Sequence, residues 1–181
     1  MSAHGSGAVG ASTRAVLVDA EATRAFGREL ATRLRAGDLV VLTGGLGAGK
    51  TTLTQGIGAG LQVRGPVVSP PFTIARVQPS LVDGPALVHV DAYRLSSLAE
   101  VDALDLDTSL EESVTVVEWG AGWVEPLAGD RLEVQVERPR GRVDETGTDA
   151  VDAASGARVV TLTGIGGRWA GVELPGEPVE G

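Results

Sequence analysis

Residues 39 to 51 read LVVLTGGLGAGKT, an apolar run that stops at a glycine cluster ending in Lys50 and Thr51. The stretch DLVVLT fits a strand buried on both faces. Gly44, four further residues and then Gly49-Lys50-Thr51 match the phosphate-binding pattern G-x-x-x-x-G-K-[ST]. Thr51 to Leu61 then reads as a helix, so the pattern sits in the strand–turn–helix context it requires. Gly45, Gly47 and Gly49 let the backbone turn with its N–H groups inward, unobstructed by Cβ atoms. The helix start adds the positive end of its dipole. Lys50 is the only lysine in the chain; the other fourteen basic residues are arginines. An ammonium on a flexible stem fits between backbone and phosphate, where the planar fork of arginine fits poorly. The hydroxyl of Thr51 is placed to bind Mg²⁺.

Further elements flank this unit. RAVLV at residues 14–18 predicts a short first strand, and Asp19 can cap the helix that follows. Phe26, Leu30 and Leu34 recur every four residues, which predicts an amphipathic helix over 23–35. Gly56, Gly58 and Gly60 inside the next helix each cost about 1 kcal/mol relative to alanine, a cost that close packing would explain. VVSPPFTIARV (67–77) is a broken extended segment, and its two prolines suit a sheet edge or a loop. PALVHVDAYRL (85–95), SVTVVEW (113–119), RLEVQVERP (131–139) and ARVVTLTG (157–164) read as strands, and 96–106 as a helix. Strands alternating with helices early and clustering late predict an α/β fold: a P-loop NTPase-like sheet with flanking helices and added antiparallel strands. One domain is expected over 14–170, with an acidic loop at 141–157. Residues 1–13 read as a disordered tail and 171–181 as a flexible one.

Composition excludes several classes. The chain has no cysteine and only two histidines, His4 and His89, so disulfides, thiolate zinc sites and His-rich metal sites are out. No apolar run approaches the roughly 18 residues of a membrane span, and the N-terminus lacks the pattern of a secretory signal. A cytoplasmic protein is expected. With 24 acidic and 15 basic residues the net charge is −9, which argues against direct grip on nucleic acid. Eight carboxylates and one arginine, Arg94, lie between Asp91 and Glu118. That run reads as a solvated face or as a docking surface for a basic partner.

A nucleotide-hydrolysing site needs a second metal contact and a group to orient water. Asp91 and Glu118 each follow an apolar strand directly. In open α/β sheets ligands bind beyond the carboxyl ends of strands, so both acids can lie near the phosphates. His89 shares a strand face with Asp91 and reads as a packed core histidine or as part of the site. Trp119 could cover the nucleotide or belong to the core. Tyr93 and Arg94 follow Asp91, and Arg94 could touch the γ-phosphate, a partner or a nearby acid.

GGLGAGKTTLTQG, SPPFT, HVDAYRL and VEW, in this order, resemble the bacterial TsaE (YjeE) family, and DAEATRAFG fits as well. The resemblance spans about residues 15 to 125. It implies a slow Mg²⁺-dependent ATPase that supports threonylcarbamoyl transfer to adenosine 37 of tRNAs reading codons that begin with A. It implies two partner proteins, of the TsaD and TsaB type, with tRNA engaged only through them. By the same motifs, Gly44, Gly45, Leu46, Gly47, Ala48, Gly49, Lys50, Thr51 and Thr52 would hold the phosphates of ATP. Thr51 and Glu118 would ligate Mg²⁺. Asp91 would orient water or the metal shell, making Asp91, Lys50 and Glu118 the catalytic set. Thr23, with Glu21, would lie near the adenine, and Trp119 near the nucleotide. Pro71 stands where the family usually has Thr; if that hydroxyl senses the γ-phosphate, the sensing falls to Ser69 or Thr73 or is weaker. Arg158 is the nearest match to a late arginine that would contact nucleotide.

Two other classes compete. A small P-loop kinase would pass the γ-phosphate to a metabolite hydroxyl, but such kinases carry an arginine-rich lid. This chain has only Arg76 and Arg94 between Arg64 and Arg131. A non-catalytic scaffold would need only to bind ATP. A GTPase is disfavoured because no N-K-x-D motif is present.

Overall fold

The computed structural model describes residues 9–45, 47–68, 75–91, 111–118, 129–139 and 156–180. The expectations for Leu46, Ser69, Pro71, Thr73, Tyr93, Arg94, Trp119, the 96–106 helix and nearly all of the acidic loop lie outside these residues.

Eight strands form one sheet: β1 (Val9–Leu17), β2 (Leu39–Thr43), β3 (Ala75–Gln78), β4 (Ala86–Asp91), β5 (Ser113–Glu118), β6 (Arg131–Glu137), β7 (Arg158–Ile165) and β8 (Glu177–Pro178). Their order is β3-β4-β5-β2-β6-β7-β1-β8. The inner strands β4, β5, β2 and β6 pair in parallel. Antiparallel pairs extend the sheet through β3 on one side and through β7, β1 and β8 on the other. The expected antiparallel additions are therefore present. The continuous apolar run of β2 follows from its place: flanked by β5 and β6, it buries Leu39, Val40, Val41 and Leu42 on both faces.

Two helices, α1 (Ala20–Ala31) and α2 (Lys50–Leu61), pack on one face over Val40, Leu42, Val116, Leu132 and Val134. Asp19 caps α1 as expected, its Oδ1 accepting from the Ala22 amide at 2.7 Å. The helix ends at Ala31 rather than 35 because Thr32, Arg33 and Leu34 bond back three residues, tightening the last turn. The repeat still held, since Leu34 is buried.

Among the described residues, parts of both expected tails join the sheet. β1 begins at Val9, and Ser12 and Thr13 pair with β7 inside the segment expected to be tail. Thr13 Oγ1 donates to Pro175 O at 2.6 Å, Leu174 is buried, and Glu177 and Pro178 pair with β1. These contacts remove residues 172–178 from the expected flexible tail. A 3-10 turn (Gly167–Trp169) buries Trp169 against the same core.

Candidate nucleotide-binding site

β2 delivers the chain to the glycine loop at its carboxyl end, and Lys50 opens α2 immediately beyond it. Gly47 and Gly49 have φ of +71° and +103°, a region that only glycine enters cheaply. Gly44 faces a different limit: a Cβ there would collide with the Val136 carbonyl of neighbouring β6. Because α2 begins at Lys50, the amides at its start have no carbonyl four residues back within the helix. Such a terminus favours an anion.

Lys50 is buried, and its Nζ donates to the Gly44 and Gly45 carbonyls at 2.8 and 3.0 Å. Burial lowers the affinity of its amine for a proton; the charges of Glu118 and then Asp91 counter that shift. Both carboxylates thus lie close enough for their charge to act on the lysine. They are also register partners at the ends of β4 and β5, the latter paired directly with β2. Thr51 Oγ1 lies 3.4 Å from Glu118 Oε1. Glu118 is buried, and Asp91 is partly exposed. Behind them His89 is fully buried, its Nε2 3.3 Å from Glu118 Oε1. That contact is poorly aligned, so neither ring nitrogen has a hydrogen-bond partner among the described residues.

Sequence reasoning therefore found residues that the fold brings together: Gly44, Gly45, Gly47, Ala48, Gly49, Lys50, Thr51, Thr52, Asp91 and Glu118. Thr23 differs. It is 1% exposed within α1 and its hydroxyl donates to Asp19 O at 3.1 Å, so it presents no polar group to an open surface. Arg158 also differs in its partners. Its Nε donates to Ala48 O at 2.7 Å and its Nη2 to Gly47 O at 3.4 Å, both in the glycine loop. No spacing in the sequence announces this contact, because it spans 110 residues.

This arrangement can hold a di- or triphosphate against the amides at the start of α2 and an ammonium, with a hydroxyl and two carboxylates beside it. A sequence model described as "Threonylcarbamoyl adenosine biosynthesis protein TsaE" matches residues 17–145. The chain belongs to the TsaE family. The TsaE of Streptomyces coelicolor is 59% identical over 83% of this chain and 96% of its own length. The TsaE of Bacillus subtilis is 34% identical over 84% and 85%. The crystal structure of Bacillus subtilis YdiB superposes with a TM-score of 0.65 at 30% identity, covering 89% of this chain and 90% of that one. The family model spans the loop, both acidic strand ends and strands β2 to β6.

Proposed function

We propose that this chain is a Mg²⁺-dependent ATPase that supports formation of N6-threonylcarbamoyladenosine at position 37 of tRNAs reading codons beginning with A. It would act with transferase partners of the TsaD and TsaB type and reach tRNA only through them. The observation that carries this reading is the convergence of Lys50, Thr51, Asp91 and Glu118 at the carboxyl ends of adjoining parallel strands, in a chain of the TsaE family.

The residues fit the groups they would hold. The Thr51 hydroxyl and the Glu118 carboxylate are hard oxygen donors already 3.4 Å apart, suited to Mg²⁺. When bound, Mg²⁺ would neutralise charge on the phosphate oxygens. Lys50 and the amides from Gly49 to Thr52 would hold the phosphates. Asp91, the more exposed acid, would accept a hydrogen bond from the attacking water and orient it. The net charge of −9 supports action through partner proteins rather than direct tRNA binding. No helix among the described residues is long and apolar enough to cross a membrane. A cytoplasmic location is part of the proposal.

The test is a reconstituted tRNA modification assay under multiple turnover with the two partners, ATP and Mg²⁺. The expected result is sustained turnover with the wild-type chain. Lys50→Ala is expected to give no stimulation and at least about a 100-fold loss of ATP hydrolysis. Equal modification with and without the chain would overturn the proposal. Phosphate transfer to a metabolite hydroxyl would move the assignment to a kinase.

A further inference from the structure

Two cations grip the carbonyls of the glycine loop from different parts of the fold. Lys50, at the start of α2, takes those of Gly44 and Gly45. Arg158, the first residue of β7, takes those of Gly47 and Ala48. A third bond, from Nη1 to Ala157 O at 2.8 Å, fixes the guanidinium plane. Its stem also covers the loop's last glycine: a carbon added at Gly49 would lie 3.4 Å from Nε and 3.7 Å from Cγ.

The geometry of a trans peptide gives these bonds a consequence. The carbonyl of one residue and the N–H of the next point in opposite directions. Arg158 holds the Ala48 oxygen at 2.7 Å, so the Gly49 N–H is turned away from the guanidinium. The adjoining peptide behaves the same way: its oxygen faces Arg158, and the Ala48 N–H points to Gly45 O at 3.1 Å. Gly47 and Gly49 have left-handed φ and little intrinsic preference for one orientation of the peptides between them. The Ala48 N–H bond to Gly45 O fixes the first of these peptides within the loop, and Arg158 supplies the donor that orients the second, between Ala48 and Gly49.

We infer that Arg158 is a positioning residue that clamps the outer face of the glycine loop and so aims the Gly49 amide at the phosphates. The inference rests on the nucleotide reading of the loop. It differs from direct nucleotide contact by Arg158, because its described partners are backbone carbonyls, two of them in the loop.

A glutamine separates the two. Its Nε2 stands the same number of bonds from Cα as the arginine Nε and can donate to Ala48 O, yet it carries no charge. Methionine has similar length and no donor. Full-length Arg158→Gln, Arg158→Met and Lys50→Ala are titrated with a fluorescent N-methylanthraniloyl ADP and with unlabelled MgADP. Melting without nucleotide reports folding. Amide exchange at Gly49 and Lys50 in the nucleotide-free protein reports loop order. The expected result is about a ten-fold weaker Kd for Arg158→Met, with faster exchange at Gly49. Arg158→Gln is expected to stay within about three-fold of wild type. Equal losses in the Gln and Met variants would overturn the clamp in favour of a charge acting on the phosphates. Loss in Lys50→Ala with wild-type affinity and exchange in Arg158→Met would overturn the clamp alone. Wild-type affinity in both would overturn the clamp and the nucleotide reading together. If Arg158→Met melts too low to titrate, the Gln variant with its exchange rate decides the question.

Discussion

Glu118 is a buried carboxylate flanked by a hydroxyl at 3.4 Å and an imidazole nitrogen at 3.3 Å, with the Lys50 charge close enough to feel it. Burial of a charge is tolerated only where partners compensate. A glutamine at this place keeps shape and volume but loses the charge a divalent cation requires. Under the proposed function, Glu118→Gln is therefore expected to fold as the wild type does and to lower Mg²⁺-dependent ATP hydrolysis by about 100-fold or more. Phosphate release measured across a Mg²⁺ titration checks this, and an unchanged Mg²⁺ response would remove Glu118 from the metal site. At this scale much of the site was legible in the sequence. Lys50 and Thr51 are fixed by the loop pattern, and Asp91 and Glu118 by their position after apolar strands. Thr23 was not, because a motif gives residue spacing and not which side of a helix is covered. Arg158 was reached only through the family resemblance, as a nucleotide contact; its bonds to the loop carbonyls were not legible, because a contact between a strand start and a distant loop leaves no period to read.

The contact between the two helices explains Gly56 and Gly60, two of the three glycines that looked costly. α1 and α2 approach until backbone meets backbone. A carbon added at Gly27 would sit 2.6 Å from Leu53 O and 2.9 Å from Gly56 Cα. One added at Gly56 would strike the Arg24 carbonyl. Substituting alanine inside a helix ordinarily gains about 1 kcal/mol. Here the obstructing atoms are main chain, which cannot turn aside as a side chain can. Gly56→Ala is expected to lose about 1–3 kcal/mol through overpacking. At Gly58 the added carbon meets Val67 Cγ2 at 2.5 Å, the tip of a loop side chain. Gly58→Ala is expected to cost less than half as much. Urea unfolding of both variants checks the ranking; a neutral Gly56→Ala would mean the helices can separate freely. The separation also matters for the site, because α2 carries Lys50 and Thr51 on its first turn. Helix and strand identities were readable from periodicity and apolar runs. The reason for the glycines was not, since it depends on which two helices touch.

Across the whole molecule, the site occupies one end of β2 and a structural clasp the other. Asp38 stands just before β2 and is 4% exposed. Arg168 Nε and Nη2 donate to its two oxygens, both at 2.8 Å, and Nη2 also reaches Arg33 O at 2.8 Å. The guanidinium lies 4.3 Å from the centre of the Trp169 ring. This two-pronged pair ties the C-terminal turn to the entry of the central strand. The sequence hid it: Arg168 falls inside the expected domain, but nothing local says that it and Asp38 meet. Removing one partner of a buried pair leaves the other charge stranded, which costs about 3–5 kcal/mol. Arg168→Leu is therefore expected to lower stability by that amount, and adding Asp38→Asn to restore part of it. β2 is five residues long, so the clasp and the glycine loop stand roughly 16 Å apart. At a temperature where the variant is still folded, its MgADP affinity should match wild type. A loss of affinity equal to that of Arg158→Met would mean that β2 transmits strain from clasp to loop. A melt combined with nucleotide titration separates a clasp that supports the fold from one that tunes the site.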